Sequence, residues 1–348
     1  MAARLSADRL LPGRRLDRAL PHRPRCTGGP GHGHAARACR VLAVALIRAG
    51  LIWNQHSHRN RGAGRAPLPE DVLDIVPEEP SHLAAGLRRL AGEGVELVVI
   101  DGGDGTVREV LTRLPEAFEG RWPRLAVLPN GKTNALALDI ETPLGTTLEE
   151  ILAACQAGKP TKRRQCLEVM RAGQSEPERR GFLFGVGAFV RATKLAQKNH
   201  GRGFIDDAAV GVTMAGGLVR TVLGGAGDRW RRGEMARLAI GATSEERRWF
   251  MVMASTFKRF PLGLKPYGEP REGLKVLSVE APPRRLLRAL PRIIRGEDTA
   301  WLEASGYHRH DADSFDISFE GDFVLDGEPY KGGDLTVRQG PSLEFVIP

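Results

Sequence analysis

Short apolar runs alternate with amphipathic stretches over the first half of the chain, between about residues 50 and 160. Each run ends at a Pro, Asn or Asp, and the longest, Val95–Ile100, is apolar except at Glu96. Nearly continuous runs of this kind are typical of strands buried on both faces of a parallel sheet. The runs that predict strands are Gly50–Trp53, Val72–Val76, Val95–Ile100 and Leu125–Leu128.

Apolar residues at helical spacing follow three of these runs. Leucines three and four residues apart precede Gly92, and Ser81 is the predicted N-cap of that helix. Val107 begins an i, i+3, i+4, i+7 pattern, and a third helix is predicted over residues 148–155. The series of strand and helix predicts a doubly wound α/β domain over residues 41–160.

The pattern changes in the second half of the chain. The segment Phe315–Phe319 alternates apolar and polar residues, which indicates a strand with one buried and one solvated face. We predict a β-rich, β-sandwich-like domain over residues 161–348, with helical insertions near 191–240 and 284–295. Further strands are predicted at Gln165–Met170, Phe182–Val190, Phe250–Phe257, Leu274–Val279, Phe323–Leu325, Leu335–Val337 and Leu343–Ile347.

The net charge of +9 is concentrated at the start of the chain. Residues 1–40 hold nine Arg and two Asp, whereas the other 308 residues carry 42 basic and 40 acidic side chains. Because the predicted folded part is nearly neutral, we expect no nucleic-acid partner. Residues 1–40 are also rich in Pro and Gly without periodicity, so we predict a disordered basic extension there.

Four cysteines without a CxxC pair argue against a disulfide scaffold and a structural zinc site. This usage suits a reducing compartment, and no apolar run reaches the 18 residues of a membrane span. We therefore expect a cytoplasmic protein that touches a membrane only at its periphery. The basic, amphipathic stretch 284–295 is the candidate contact, and the alternative is a crossover helix packed on the β-domain. The oligomeric state stays open.

The strongest chemical signal is the glycine-rich loop Gly102–Thr106, between a predicted buried strand and a predicted helix. Glycines let the backbone approach an anion, and the helix N-terminus offers free N–H groups, so this loop predicts a phosphate cradle. Asp104 inside it would repel phosphate unless a divalent cation bridges the two, which makes Asp104 a candidate metal ligand. The alternative is a tight turn in which Asp104 is an N-cap.

Two more polar loops follow strands in equivalent positions. One is Asn130–Asn134 and the other begins at Asn54 and includes Ser57. Loops at the carboxyl ends of neighbouring parallel strands meet at one crevice, so three of them predict a nucleotide site. The Gly131-Lys132-Thr133 sequence is not a Walker A motif, because position 126 is Ala where that motif needs Gly.

Together these motifs resemble the diacylglycerol kinase catalytic-domain family, which includes bacterial lipid kinases and sphingosine and ceramide kinases. The resemblance implies an N-terminal domain similar to phosphofructokinase and NAD kinase, and a β-rich C-terminal domain. It also implies ATP and Mg²⁺ as cofactors and phosphorylation of a lipid hydroxyl. The motifs that carry it are Gly102–Thr106 with Glu109, Leu128–Ala137, Asn54 with Ser57, and Leu325–Pro329.

The resemblance also implies roles for particular residues. Asp326 would be the catalytic base, Asp104 a catalytic residue and metal ligand, and Glu328 a contact to nucleotide or metal. The remaining implied nucleotide contacts are Asn54, Ser57, Gly102, Gly103, Gly105, Thr106, Glu109, Gly131, Lys132, Thr133 and Asn134. The chain departs from the usual family loops at Gln55, His58, Lys132 and Ala135, and Lys132 adds a cation near the expected phosphates.

The chemistry of alcohol phosphorylation supports the roles of Asp326 and Glu328. A hydroxyl must lose its proton as it attacks phosphorus, so a carboxylate within hydrogen-bond reach is expected. The alternative is an Asp-Gly hairpin turn whose acids are merely solvated.

Three functions remain open on the sequence. The leading one is an ATP-dependent lipid kinase acting on diacylglycerol or a related lipid alcohol. The others are an NAD kinase, which shares the glycine-rich motif, and a degenerate lipid-binding protein without activity, suggested by the loop departures.

Overall fold

The computed structural model describes residues 47–64, 67–200 and 231–348. The predicted extension 1–40 and most of the predicted helical insertion near 191–240 lie outside these residues. No helix in the described part of the chain is long and apolar enough to cross a membrane.

The first half forms a parallel sheet, as its apolar runs predict. Its strands are β1 (Ala49–Trp53), β2 (Val72–Ile75), β3 (Leu97–Gly102) and β4 (Arg124–Pro129). They pair in parallel in the order β2-β1-β3-β4, which places the carboxyl ends of all four at one edge. Every residue of β3 is buried, because side chains on both faces of this strand pack under helices.

Helices cover both faces of this sheet. On one face, α1 (Pro80–Gly92) and α2 (Asp104–Ala117) pack over alternate strand residues, and on the other α4 (Leu148–Gln156) does so. The prediction of Ser81 as an N-cap is wrong: α1 begins one residue earlier, at a proline suited to the first helical turn. The short α3 (Ala135–Asp139) was not predicted from the sequence, since five residues carry no period.

The second half is rich in antiparallel strands, in agreement with its alternating pattern. Their inner faces enclose a core of valines, leucines and phenylalanines. The strands are β5 (Lys162–Arg171), β6 (Arg179–Gly181), β7 (Leu183–Gly187), β8 (Glu234–Ile240), β9 (Thr243–Ser255), β10 (Leu274–Glu280), β11 (Tyr307–Ala312), β12 (Ser314–Leu325) and β13 (Glu328–Phe345).

Two sequence predictions in this half are wrong. The strand predicted to run to Val190 ends at Gly187, where α5 (Ala188–His200) follows at once. Gly187 has φ +71°, and a Cβ there would lie 2.5 Å from the carbonyl oxygen of Phe250, so the chain turns at this residue. The region near 191–240 is also not helical throughout, because β8 occupies its end.

The helix α6 (Leu286–Arg295) matches the amphipathic stretch predicted at 284–295, and α7 (Ala300–Ala304) follows it. Leu286 and Ile293 are buried in a core cluster that includes Tyr307, whereas Leu287 is exposed. The apolar face of this helix therefore packs on the β-rich part, as the crossover-helix alternative predicts, and contact with a membrane stays a prediction.

One continuous sheet joins the two halves. Near the end of β13, Phe345 pairs in parallel with Leu125 of β4. The final strand of the chain thus returns to the first half. The domain division predicted at residue 160 stays a prediction. The β12–β13 turn, at Asp326 and Gly327, contacts helix α2 of the first half through Arg108.

Candidate active site

The loops that follow β1, β3 and β4 line one cleft of about 460 Å³. Nine of the predicted site residues line it: Asn54, Ser57, Gly103, Gly105, Thr106, Glu109, Gly131, Lys132 and Glu328. The cleft wall also contains side chains that the sequence did not single out, among them Arg61, Glu79 and Arg108. The predicted residues Gly102, Asp104, Thr133, Asn134 and Asp326 do not line the cleft.

The glycines of two loops touch each other at the floor of the cleft. A Cβ on Gly103 would lie 2.8 Å from Cα of Gly131, so neither loop tolerates a side chain here. Gly103 is also the N-cap of α2, and no side chain caps that helix end. Gly103 and Gly105, at the start of this helix, line the cleft, so bare backbone forms part of its floor, as a phosphate cradle requires.

Buried Asp101, the residue before the glycine-rich loop, connects all three loops. Its Oδ1 accepts hydrogen bonds of 2.7 Å from Nδ2 of Asn60 and from Nδ2 of Asn130. The backbone N–H of Asn54 donates to its carbonyl oxygen at 3.0 Å. Sequence reasoning gave no role to Asp101 or Asn60, although an aspartate that ends a buried apolar strand is a visible signal.

Asn54 holds the first loop against the glycine-rich loop. Nδ2 of Asn54 donates to Oγ1 of Thr106 at 2.8 Å, so both predicted contacts help to set the shape of the cleft. The hydroxyl of Ser57 is buried and has no hydrogen-bond partner, although it lies in the cleft wall. A buried polar atom without a partner is costly, and a phosphate oxygen would satisfy it. This site therefore fits a nucleotide.

Asn134 closes the second loop upon itself. Its Oδ1 accepts from the N–H of Gly131 at 2.8 Å, and its Nδ2 donates to the carbonyl of the same residue at 3.0 Å. The backbone of Asn134 is left-handed, with φ 50°, a conformation that asparagine tolerates better than most residues. Asn134 thus shapes the loop from within, while Lys132 and Thr133 are exposed on it.

Asp104 caps α3, the helix that follows the second loop. Its two oxygens accept the backbone N–H groups of Ala135, at 3.0 Å, and Leu136, at 3.1 Å. Burial raises the pKa of this carboxyl, and the two backbone hydrogen bonds oppose that effect. The alternative that Asp104 is the N-cap of α2 is wrong, because Gly103 is that N-cap and Asp104 is the first residue of the helix. Its oxygens instead cap α3, which begins 31 residues later along the chain.

Asp326 lies in the β12–β13 turn with its carboxylate turned toward β7. Its Oδ1 accepts the N–H groups of Phe182, at 3.1 Å, and Leu183, at 2.8 Å. Gly181 makes this approach possible, since a Cβ there would collide with the carboxylate. Burial raises the pKa of Asp326 to about 7; the charge of Arg108 lowers it and that of Asp104 raises it. Such a carboxyl gains and loses a proton near neutral pH.

Arg108, which sequence reasoning also missed, connects the cleft to this turn. Its Nη1 lies 3.4 Å from the carbonyl oxygen of Leu325 and 3.5 Å from that of Asp326, and its Nη2 pairs with Glu109 at 3.2 Å. Its Nε is buried without a partner. The sequence did contain a signal for Arg108, because a charged residue next to Val107 interrupts the apolar, buried face of α2.

Carboxylates and cations share the cleft. Burial alone would raise the pKa of Glu109, but its hydrogen bond to Arg113 and the charge of Arg108 outweigh burial and lower it. Glu328, at the start of β13, is exposed at the cleft. In the described part of the chain, no three His, Cys, Asp or Glu side chains are grouped to hold a metal ion. Magnesium that arrives with nucleotide commonly uses one or two carboxylates plus phosphate oxygens, which this cleft can supply.

Comparisons with known proteins agree with this geometry. Residues 49–166 match the family model of the diacylglycerol kinase catalytic domain. No curated protein sequence matches the chain significantly.

Solved structures share the fold. A candidate diacylglycerol kinase from Bacillus anthracis strain Sterne aligns with a TM-score of 0.62 at 16% identity, over 87% of this chain and 97% of that one. A second crystal structure, of a diacylglycerol kinase from the same strain, aligns with a TM-score of 0.56 at the same identity and coverage. At this identity the likeness shows the fold alone. Residues 49–166 are therefore similar to the diacylglycerol kinase catalytic domain, and the solved structures show that the likeness in fold extends over most of the chain.

Proposed function

We propose that this protein is an ATP-dependent lipid kinase that phosphorylates the hydroxyl of diacylglycerol or a related lipid alcohol. The observation that carries the proposal is the position of the Asp326 turn. Arg108 ties that turn to the helix of the glycine-rich loop, so a candidate base and a candidate phosphate cradle lie on either side of one guanidinium.

The nucleotide phosphates bind where the two glycine loops meet. The backbone of Gly103 and Gly105 at the start of α2 contacts them, and the Ser57 hydroxyl and Arg108 Nε supply hydrogen-bond donors that have no partner in the described part of the chain. Lys132, exposed on the second loop, adds a positive charge to the cleft wall. Gly102 and Asn134 are buried outside the cleft lining and support these contacts by shaping the two loops, whereas Thr133 is exposed on the second loop and does not line the cleft.

Asp326 accepts the proton of the lipid hydroxyl. As the hydroxyl oxygen forms its bond to the γ-phosphorus, the bond from that phosphorus to the bridging oxygen breaks, and ADP leaves with the electron pair. The ionised form of Asp326 is available at and above neutral pH, since its pKa is about 7. The lipid head enters between the two halves of the chain.

Magnesium, when bound, neutralises charge on the transferred phosphoryl group. Glu328 and Glu109 are the predicted nucleotide-site carboxylates that line the cleft. Asp104 stays a proposed metal ligand, although its oxygens already accept the backbone N–H groups of Ala135 and Leu136 and a further one from its own residue. Whether Asp104 binds metal or only caps α3, its negative charge raises the pKa of Asp326.

The test is direct phosphorylation. Purified full-length protein is incubated with labelled ATP, Mg²⁺ and diacylglycerol, sphingosine or NAD in separate reactions, and the products are separated. Labelled phosphatidate with no labelled NADP is the expected result. Labelled NADP alone identifies an NAD kinase, and no labelled product in any reaction favours the non-catalytic lipid-binding alternative. An Asp326→Asn sample is the control for a contaminating kinase.

A further inference from the structure

An apolar loop lies beside the second nucleotide loop. The residues between β9 and β10, together with Leu138 of α3, surround an open cavity of about 220 Å³. Its apolar lining consists mainly of Leu138, Phe257, Phe260, Leu262, Leu264 and Tyr267. We call this surface, formed by Leu138 and residues 257–267, the leucine face.

Two leucines of this face are exposed to water. Leu262 is 61% exposed and Leu138 is 42% exposed, which places both among the largest apolar exposures in the described chain. Leu262 also has φ 59°, in the left-handed region that bulky residues rarely adopt. A glycine would adopt this conformation without strain, whereas leucine adopts it at a cost in backbone free energy while its side chain stays exposed.

Cations surround the two leucines. Lys258, Arg259 and Lys265 line the cavity with side chains that are 39%, 51% and 37% exposed. Glu269 is the single carboxylate among the lining residues. The ion pairs of these cations are made at the surface, where such pairs are weak and screened, so the cations can exchange a carboxylate for a lipid phosphate.

The leucine face is fixed to the nucleotide site by α3. At the start of this helix, Asp104 caps the backbone N–H groups of Ala135 and Leu136. At its end, buried Asp139 accepts the backbone N–H groups of Lys258 and Arg259, at 3.0 and 2.7 Å. One five-residue helix, about 7.5 Å long, therefore separates the second nucleotide loop from the leucine face.

We propose that the leucine face docks on the surface of an anionic lipid bilayer. Leu262 and Leu138 enter the head-group region while Lys258, Arg259 and Lys265 contact lipid phosphates, a combination of apolar burial and charge that suits interfacial binding. The proposal rests on the proposed function for its purpose, because it holds the kinase cleft at the membrane that contains the substrate. The docking itself needs neither ATP nor turnover.

The experiment measures co-sedimentation of the full chain with phosphatidylcholine vesicles, with and without phosphatidylglycerol, in the absence of nucleotide. Leu262→Gly removes the apolar side chain and relieves its backbone, so it should keep or raise the melting temperature and weaken binding about five- to tenfold. Lys258→Gln combined with Lys265→Gln should remove most of the preference for phosphatidylglycerol. Met235→Ser, at an apolar residue that is 49% exposed on β8, is the matched control and should bind like wild type.

Two results would overturn the proposal. One is wild-type protein that does not sediment with either vesicle, and the other is Leu262→Gly that sediments like wild type. If Leu287→Ser on α6 weakens binding while Leu262→Gly does not, the membrane contact belongs to α6 instead. Kinase activity on detergent-dispersed diacylglycerol, measured in parallel, separates this proposal from the proposed function. Vesicle binding without kinase activity would refute only the proposed function. Kinase activity without vesicle binding would refute only the docking of the leucine face.

Discussion

Replacing Asp326 with asparagine should abolish most activity while stabilising the protein above neutral pH. Asparagine keeps the shape of the side chain, and its one oxygen can still accept the N–H groups of Phe182 and Leu183. It cannot take a proton from a hydroxyl, so kcat should fall by roughly 10²–10⁴. Asp104→Asn would differ, because that residue lies at the nucleotide loops.

The stability change follows from the pKa of Asp326. Burial raises this pKa to about 7, against about 3.9 in an unfolded chain. Above pH 7 the folded protein therefore holds an ionised carboxylate at a cost of at most about 4 kcal/mol, which is absent below pH 4. Asparagine removes this cost, and partial exposure of the residue and the weaker neutral hydrogen bonds reduce the gain to about 1–3 kcal/mol.

Urea unfolding at pH 5 and pH 8, with activity measured on the same samples, checks both effects. The variant should gain more stability over wild type at pH 8 than at pH 5. The kcat of the wild type should rise as the pH is increased through about 7, because the ionised form of Asp326 is the base. Glu320→Gln, at an exposed residue of β12 outside the cleft lining, is the control for a change in charge alone. Retained activity, or an equal stability difference at both pH values, would refute the reasoning.

Three further substitutions test the geometry of the cleft. Asp104→Asn should weaken ATP affinity, which calorimetric titration measures. It should also lower the free energy of unfolding in urea by about 1–2 kcal/mol, because one backbone N–H of α3 loses its carboxylate partner. Arg108→Gln should move the rising limb of the pH–kcat profile to higher pH, because this arginine lowers the pKa of the base; an unmoved limb would contradict that role. Gly131→Ala should abolish ATP binding by forcing the second loop away from Gly103, and unchanged affinity in a fluorescent ATP titration would show that the loops can separate freely.

The parallel sheet, and the edge of it at which the candidate site lies, are predictable from the sequence. Buried strands such as Leu97–Gly102 must satisfy two apolar faces, so nearly every residue in them is hydrophobic and the pattern is visible in the sequence. The glycine-rich loop is equally visible, because only glycine permits the contact between Gly103 and Gly131. Nine of the predicted site residues consequently line the cleft.

The partners of several of these residues depend on tertiary packing and are not visible in the sequence. The sequence predicts Asp104 to be part of the phosphate cradle, yet its oxygens cap α3. Arg108 contacts the β12–β13 turn, which lies more than 200 residues away along the chain. Asp101 joins loops that start at three different strands. Such contacts depend on the angle at which one element meets another, and no periodicity or spacing in a sequence encodes that angle. The backbone pattern is a local property of the chain, whereas hydrogen bonds across elements exist only after the chain has packed.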